Sequence, residues 1–137
     1  MADKLQFDLV SPERVLVSDA VDMVVVPGAE GDCGVMAGHA PVMALLRPGL
    51  ITTYENDRPA RRIFVASGFA EVNPSGIIVL AENADDLSEL PQERAMQMLR
   101  NAEEDLQAAG AASEAERAKL EQAVALARAR SEAYTAP

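Results

Sequence analysis

A single change in hydrophobic periodicity, near residue 86, constrains the fold more than any other feature of the sequence. Upstream of it, apolar and polar residues alternate, as they do over Leu5–Leu9, and a period of two is typical of half-buried β-strands. Downstream, apolar residues return every three or four positions, which is the spacing of an amphipathic helix. The sequence therefore predicts two domains, a β-rich one over residues 1–86 and a helical one over residues 87–137.

The β-rich domain consists of short alternating segments separated by turn residues. Turn signals occur at Pro48–Gly49, Asn56–Asp57 and Pro74–Gly76, where glycine, proline and asparagine favour chain reversal. Many short strands with regular turns are typical of a sandwich or barrel, so the fold class is α+β and mostly β, with antiparallel strands. The predicted strands cover residues 5–9, 15–17, 21–25, 50–54, 63–67, 69–73 and 77–80.

The helical domain has the signals of an antiparallel two-helix hairpin. Pro91 suits the first turn of a helix, Gly110 suits its C′ position, and Ser113 begins a capping-box sequence for a second helix. Because the apolar stripes are rich in alanine, we expect the hairpin to dock weakly on the sandwich or on a partner and to exchange between positions. The stripes are Ala95, Met98, Leu99, Ala102, Leu106 and Ala109, then Leu120, Ala123, Val124 and Ala127.

Composition excludes several classes of protein. The net charge of −10, with no basic cluster longer than Arg61–Arg62, argues against binding to nucleic acid. A single cysteine excludes an internal disulfide framework, in keeping with a reducing cytoplasmic compartment. The sequence shows neither a signal peptide nor a run of about 18 apolar residues, so we expect a soluble protein that reaches a membrane only through a partner.

The glycine- and proline-rich segment Gly31–Gly49 holds the only cysteine, Cys33, and the only histidine, His39. A nucleophile–base pair would need a further orienting group, and a metal site would need three or four ligands. We expect neither, and predict no catalytic residue, no metal and no cofactor. The glycines and prolines instead predict a shaped loop system between strands, which is typical of a binding or structural module.

Charges on the predicted hairpin leave two interpretations open. The acidic run Glu103–Asp105 suits either a solvated helix face or an interaction patch. The second helix has a modestly basic surface, which suits either pairing with glutamates four residues away or contact with an acidic partner. Its basic residues are Arg117, Lys119, Arg128 and Arg130.

Six motifs, in order along almost the whole chain, resemble the epsilon subunit of bacterial F-type ATP synthases. The most distinctive is Gly31–Pro41, which ends in Gly-His-Ala-Pro. No single motif is specific, but their order and spacing together are. The other five are Phe7–Glu13, Leu46–Gly49, Ser67–Val72, Val79–Glu82 and Leu90–Ala95.

The resemblance implies a ten-stranded antiparallel β-sandwich followed by a helical hairpin. It also implies a non-catalytic place in the rotary central stalk, at the cytoplasmic face of the inner membrane, where the subunit helps to couple proton translocation to ATP synthesis. Its partners would be the gamma subunit, the c-ring and, through the hairpin, the alpha and beta subunits. On that basis the turn Glu30, Gly31 and Asp32 would face the c-ring, His39, Ala40 and Pro41 would contact gamma, and the four basic residues of the second helix would contact beta.

Some members of that family bind ATP on the hairpin, which then regulates hydrolysis. Of the family's ATP motif, Leu90, Arg94 and Ala95 are present, but Pro91 replaces the aspartate and Asn101 stands where an arginine is usual. Because both changes remove charged contacts, we expect ATP not to bind. The alternative to a stalk subunit is an independent β-sandwich binding module with a helical tail.

Overall fold

The computed structural model describes residues 3–135 and contains ten strands and two helices, which confirms the predicted fold class. The chain divides into two compact units after Ser88. The first, the sandwich unit, contains every strand; the second, the hairpin unit, contains both helices. None of the helices in the described residues is long and apolar enough to cross a membrane.

The sandwich unit is a curled sheet with two halves that pack on one core. One half has the strand order β10-β7-β6-β3, with β4 on the free side of β3, and the other has the order β5-β8-β9-β1-β2. The halves join at a single residue pair, Gly28 opposite Leu46. The strands are β1 (Leu5–Val10), β2 (Val15–Val21), β3 (Met23–Gly28), β4 (Gly31–Met36), β5 (Val42–Leu46), β6 (Gly49–Glu55), β7 (Arg58–Val65), β8 (Gly68–Asn73), β9 (Gly76–Ala81) and β10 (Ala84–Asp86).

One strand pair departs from the antiparallel arrangement that the sequence predicts. β1 pairs with β9 in parallel, with Phe7 opposite Ile77, while the other pairs are antiparallel. Parallel neighbours need a long connection, and the strands between β1 and β9 supply it. The parallel pair places the first strand inside the sheet, between β9 and β2.

The core of the sandwich unit is aliphatic, as the low aromatic content requires. Its buried residues come from every strand from β1 to β9, and Phe7 is the phenylalanine among them. A second phenylalanine, Phe64 of β7, is also fully buried. The buried Thr53 keeps a partner because its Oγ1 accepts a hydrogen bond of 3.0 Å from the Arg61 amide. The cluster contains Leu5, Phe7, Leu9, Val21, Val24, Val26, Val35, Leu46, Ile51, Ile63, Val65, Ala70, Val72, Ile77, Val79 and Ala81.

The segment Gly31–Gly49 is not the loop system that its sequence predicts. It contains β4 and β5, and β4 pairs continuously with β3 from Gly28 opposite Gly31 to Met23 opposite Met36. On β4 only Val35 is buried. Backbone hydrogen bonds rather than buried side chains define this strand, so it leaves no alternating pattern in the sequence.

The helices are α1 (Gln92–Gln107) and α2 (Glu114–Glu132), followed by a 3₁₀ turn over Ala133–Thr135. Ser113 caps α2 as predicted, since its Oγ accepts a 3.2 Å hydrogen bond from the Glu116 amide. Two boundaries differ slightly from the prediction. Pro91 is the N-cap residue of α1, and Gly110, at φ +52°, lies two residues beyond the C-cap rather than one.

The stripe predicted on α1 is at least partly buried along its whole length, and Ala95 is fully buried. On α2 the prediction holds for Val124 and Ala127, which are buried, but it is wrong for Ala123, which is exposed. Ala123 lies about 100° round the helix axis from Val124, at the edge of the stripe.

Candidate protein-binding surfaces

The turn between β3 and β4 presents the acidic residues that the family resemblance places against a c-ring. Glu30 and Asp32 are both exposed. Gly31 has a φ of +142°, and a Cβ on the buried Gly28 would lie 2.5 Å from the Gly31 carbonyl oxygen, so both positions require glycine. The two carboxylates therefore project from a tightly constrained turn.

Arg47 holds this turn, a role that the motif Leu46–Gly49, which contains it, does not indicate. One Nη of its guanidinium lies 2.6 Å from an Asp32 carboxylate oxygen, and the other donates to the Gly28 carbonyl. The Arg47 amide also donates to the Pro27 carbonyl at 2.9 Å. The sequence gives no signal for this contact because Asp32 lies on β4 and Arg47 lies between β5 and β6, and the two residues meet only where the halves of the sheet join.

The corner predicted to contact gamma is tied to the neighbouring β8–β9 turn. The Gly38 amide donates to the Pro74 carbonyl at 2.7 Å, and His39 Nδ1 lies 2.7 Å from the Ala40 carbonyl oxygen. His39 is half-exposed, whereas Ala40 and Pro41 are exposed. The corner is thus rigid and accessible.

Cys33 and His39 take separate structural roles. Cys33 lies on β4, half-buried against the core, while the His39 ring bonds to its neighbour's carbonyl. Over residues 3–135, no group of three or more histidine, cysteine or acidic side chains is arranged to hold a metal ion.

An exposed apolar patch on β5 directly follows this corner. Met43 and Leu45 are 66% and 70% exposed, while their neighbour Leu46 is buried in the core. Leu45 lies opposite the half-exposed Phe69 of β8. We call Met43, Leu45 and Phe69 the β5 patch. Large apolar side chains grouped on a surface mark a protein contact more often than isolated ones do.

The β5 patch and the acidic turn border the same shallow groove. The groove has a volume of about 440 Å³ and is lined by Glu30 and Cys33 on one side and by Met43 and Leu45 on the other. The Ala29 amide donates to the Leu45 carbonyl at 2.8 Å, so the turn is also bonded to the strand of the patch. The sandwich unit therefore places the predicted acidic turn next to an apolar patch that the sequence analysis did not indicate.

The basic residues of α2 do not form one surface, contrary to the sequence interpretation. Arg117 and Lys119 are exposed, but Arg128 pairs with Glu103 of α1 at 3.8 Å. Arg130 is buried, with 8% of its surface exposed. It lies three residues from each of the buried alanines Ala127 and Ala133, so it shares their side of the helix and is excluded from a basic outer face.

The residues of the ATP motif lie at the start of the hairpin unit and differ in accessibility. Ala95 is fully buried, and the Leu90 carbonyl accepts a hydrogen bond from the Tyr134 hydroxyl. Arg94 lines a groove of about 640 Å³ together with Arg100, a cation that lies outside the motif. The Asn101 side chain accepts a 2.8 Å hydrogen bond from Gln97.

A separate charge cluster in the sandwich unit is structural. Arg61 of β7 bonds to Asp19 of β2 at 2.7 Å and to Asp86 of β10 at 3.2 Å. The hydrogen bond to Asp19 raises the pKa of the Arg61 guanidinium above its ordinary value, against the opposing effect of burial. The cluster ties a strand of one half of the sheet to a strand of the other.

The fold and these surfaces define a class: a β-sandwich with a helical hairpin whose accessible features suit protein contacts. Comparison with known proteins specifies the class further. Residues 4–86 match the family described as "ATP synthase, Delta/Epsilon chain, beta-sandwich domain". The ATP synthase epsilon chain of Rhodospirillum rubrum is 50% identical over 129 residues, covering 94% of this chain and 95% of that one.

Two further matches agree. The epsilon chain of Parvibaculum lavamentivorans is 62% identical over 90 residues, covering 66% of this chain and 68% of its own. Among solved structures, a chain of the Euglena gracilis mitochondrial ATP synthase assembly of OSCP, F1 and c-ring matches with a TM-score of 0.78. That match covers 98% of this chain and 83% of the other at 22% identity, and it shows a shared fold. The chain belongs to the ATP synthase epsilon chain family, which confirms the resemblance drawn from its motifs.

Proposed function

We propose that this epsilon chain is a non-catalytic rotor subunit that joins the gamma subunit to the c-ring. The observation that carries the proposal is the β5 patch, where Met43 and Leu45 expose 66% and 70% of their surfaces next to the rigid His39–Pro41 corner. An apolar surface of this kind is stabilised when a partner covers it. A part that transmits torque needs stiffness and complementary shape, and the constrained corner and turn supply both.

The gamma contact extends from His39, Ala40 and Pro41 onto the β5 patch. The corner supplies the imidazole of His39 and the ring of Pro41. The β5 patch supplies the apolar area that typically forms the centre of an interface. The c-ring contact is the acidic turn of Glu30, Gly31 and Asp32, which is directed outward by its glycine geometry. Membrane association then comes through the complex, with the subunit peripheral on the cytoplasmic face of the inner membrane.

The hairpin unit has a regulatory role through its exposed cations. Arg117 and Lys119 remain accessible, so they supply the contact with an acidic segment of the alpha and beta subunits, and Arg128 joins them only if it leaves Glu103. ATP does not bind the hairpin in the micromolar range, because the aspartate and the usual arginine of the motif are missing. Calorimetry of the full chain with ATP tests this point, and heat that saturates at micromolar ATP contradicts it.

The gamma contact is tested by purifying the full chain with isolated gamma subunit. Native mass spectrometry is expected to show a one-to-one complex. We expect Met43→Glu and Leu45→Glu to weaken it at least tenfold, because each places a charge in an apolar contact. Val15→Glu is the matched control: Val15 is 59% exposed but lies on β2, four strands and about 19 Å from β5.

The outcomes distinguish a rotor subunit that binds gamma from an independent binding module. Loss of the complex in the β5 variants alone supports the proposed surface, and equal loss with Val15→Glu places the contact elsewhere. If the unmodified chain forms no complex with gamma at all, the proposed gamma contact is contradicted, and the alternative, an independent β-sandwich binding module, is favoured.

The regulatory role is tested by ATP hydrolysis in the reconstituted complex. Arg117→Glu and Lys119→Glu are expected to raise the hydrolysis rate by removing an inhibitory contact. Arg58→Glu, which changes the charge of an exposed arginine in the sandwich unit, is the control. Equal rates for all three variants and the unmodified chain argue against inhibition by the hairpin.

A further inference from the structure

Four contacts attach the β3–β4 turn to the segment where β5 ends and β6 begins. The sequence of the turn does not indicate any of them. Two join backbones: the Ala29 amide donates to Leu45 at 2.8 Å and the Arg47 amide donates to Pro27 at 2.9 Å. The other two come from the Arg47 guanidinium, which bonds to the Gly28 carbonyl and, at 2.6 Å, to the Asp32 carboxylate. One arginine side chain thus spans both sides of the turn.

Apart from these contacts, the turn is held by its own ladder between β3 and β4, at the edge of the sheet. β4 has a single neighbouring strand, β3, and only Val35 of β4 is buried. The turn itself contains Gly31 at φ +142° and requires glycine at position 28. Segments with few buried contacts and exposed backbone hydrogen bonds open most readily, so this tip would open locally if the arginine were removed.

We propose that Arg47 is the positioning residue of the acidic turn. Its planar guanidinium matches a carboxylate and a carbonyl with separate N–H groups, a geometry that a lysine ammonium does not reproduce. The contact pairs the charge of Asp32 with that of Arg47. Glu30, the other carboxylate of the turn, takes part in none of the ion pairs found among residues 3–135. The step from an ordered turn to a c-ring contact rests on the proposed function; the ordering itself does not.

Hydrogen exchange of the Ala29 amide in the full chain tests the ordering directly, because this amide is bonded to Leu45. We expect Arg47→Gln to speed its exchange about threefold to fivefold, and Arg47→Lys to have an intermediate effect, while the melting temperature is nearly unchanged because exposed ion pairs contribute little to global stability. Arg58→Gln is the matched control. Exchange in Arg47→Gln equal to that in the unmodified chain overturns the proposal.

Salt distinguishes positioning by charge from simple packing. In about 1 M salt, where the Debye length falls to about 3 Å, Ala29 exchange should rise in the unmodified chain but not in Arg47→Gln. Asp32→Asn should cause part of the Arg47→Gln effect, and the double variant should show less than the sum of the two. Additive effects with no salt response would assign Arg47 a packing role and contradict the proposal.

A cross-linking experiment tests the proposed c-ring contact separately from the role of Arg47. With Cys33 replaced by serine, Glu30→Cys is tested for cross-links to the c-ring in the assembled complex, with and without Arg47→Gln. A lower yield with Arg47→Gln supports positioning for the c-ring. Absence of any cross-link contradicts the proposed c-ring contact, while the amide exchange result still decides the role of Arg47.

Discussion

Individual residues matter most in this molecule where one backbone approaches another. Gly68 begins β8 at a φ of +151°, and a Cβ there would lie 2.0 Å from the Leu80 carbonyl oxygen. That oxygen belongs to a neighbouring strand and cannot rotate away. The sequence marks the position only as one glycine in the family-like motif Ser67–Val72, and the structural reason for it is this interstrand contact.

We therefore expect Gly68→Ala to lower the free energy of unfolding by roughly 2–3 kcal/mol, because the β8–β9 ladder must shift. Gly34→Ala is the control, since its Cβ would find only the Met23 sulfur, at 3.9 Å. Urea unfolding of both variants measures the difference. Equal stability of the two would contradict the steric argument.

Asp22 lies where the chain passes from β2 in one half of the sheet to β3 in the other. Its carboxylate accepts hydrogen bonds from Lys4 Nζ at 2.7 Å and from the Asn56 amide at 2.8 Å. The Lys4 hydrogen bond, with the Asn56 amide adding to it, holds the pKa of the Asp22 carboxyl below its ordinary value. The ionised form is therefore favoured by folding.

A lowered pKa in the folded state stabilises the protein above the unfolded pKa, and the contribution is lost as the pH falls through the folded value. Asp22→Asn should therefore lower the melting temperature at pH 7 and flatten its fall below about pH 4. Asp57→Asn, in the adjacent exposed turn, is the control. If Asp22→Asn leaves the fall in melting temperature at low pH unchanged, other carboxyl groups cause that fall.

At the scale of whole elements, the sequence predicted those whose side chains alternate between core and solvent. β1, β6, β8 and β9 have buried residues at every second position, and both helices have a stripe. β4, β5 and β10 were missed because β4 buries only Val35, β5 exposes Met43 and Leu45, and the three-residue β10 has no fully buried residue. Their order comes from strand pairing, which hydrophobic periodicity does not report.

The hairpin unit has a closing contact at its base. The Tyr134 hydroxyl, from the 3₁₀ turn after α2, donates to the Leu90 carbonyl just before α1. The N-cap of α1 is Pro91, which has no side-chain hydrogen bond to the helix. The tyrosine therefore anchors an end of α1 that has no cap of its own.

We expect Tyr134→Phe to destabilise the hairpin by about 1 kcal/mol, because it removes one hydrogen bond and no packing. Amide exchange in the first turn of α1 should rise about fivefold. Tyr54→Phe, in the sandwich unit, is the control and should leave α1 unchanged. Equal amide exchange of the hairpin in the two variants would show that the Tyr134 hydrogen bond does not stabilise α1.

For the whole molecule, the proposed function depends on surfaces that the sequence located only in part. The motifs placed the turn Glu30–Asp32 and the corner His39–Pro41, and the structure adds the exposed β5 patch and Arg47 beside them. The basic face on α2 was predicted too broadly, because Arg130 is buried. Tertiary contacts between a strand and a separate turn, such as Asp32 with Arg47, have no local signature in a single sequence.

In the sandwich unit, the proposed ring contact and the proposed gamma contact share one rigid connection. The acidic turn is bonded to the Leu45 carbonyl of β5 through the Ala29 amide and to Arg47 just beyond that strand. The turn is therefore connected to the strand of the β5 patch by direct hydrogen bonds. This arrangement suits a part that couples rotation between two partners.

The most direct test of this account is amide hydrogen exchange of the full chain with and without its gamma subunit. We predict that gamma slows exchange across residues 38–46 and 68–72, which contain the corner and the β5 patch, and leaves β2 near Val15 unchanged. Protection confined to other strands, or no protection at all, would contradict the claim that this face joins the subunit to the rotor.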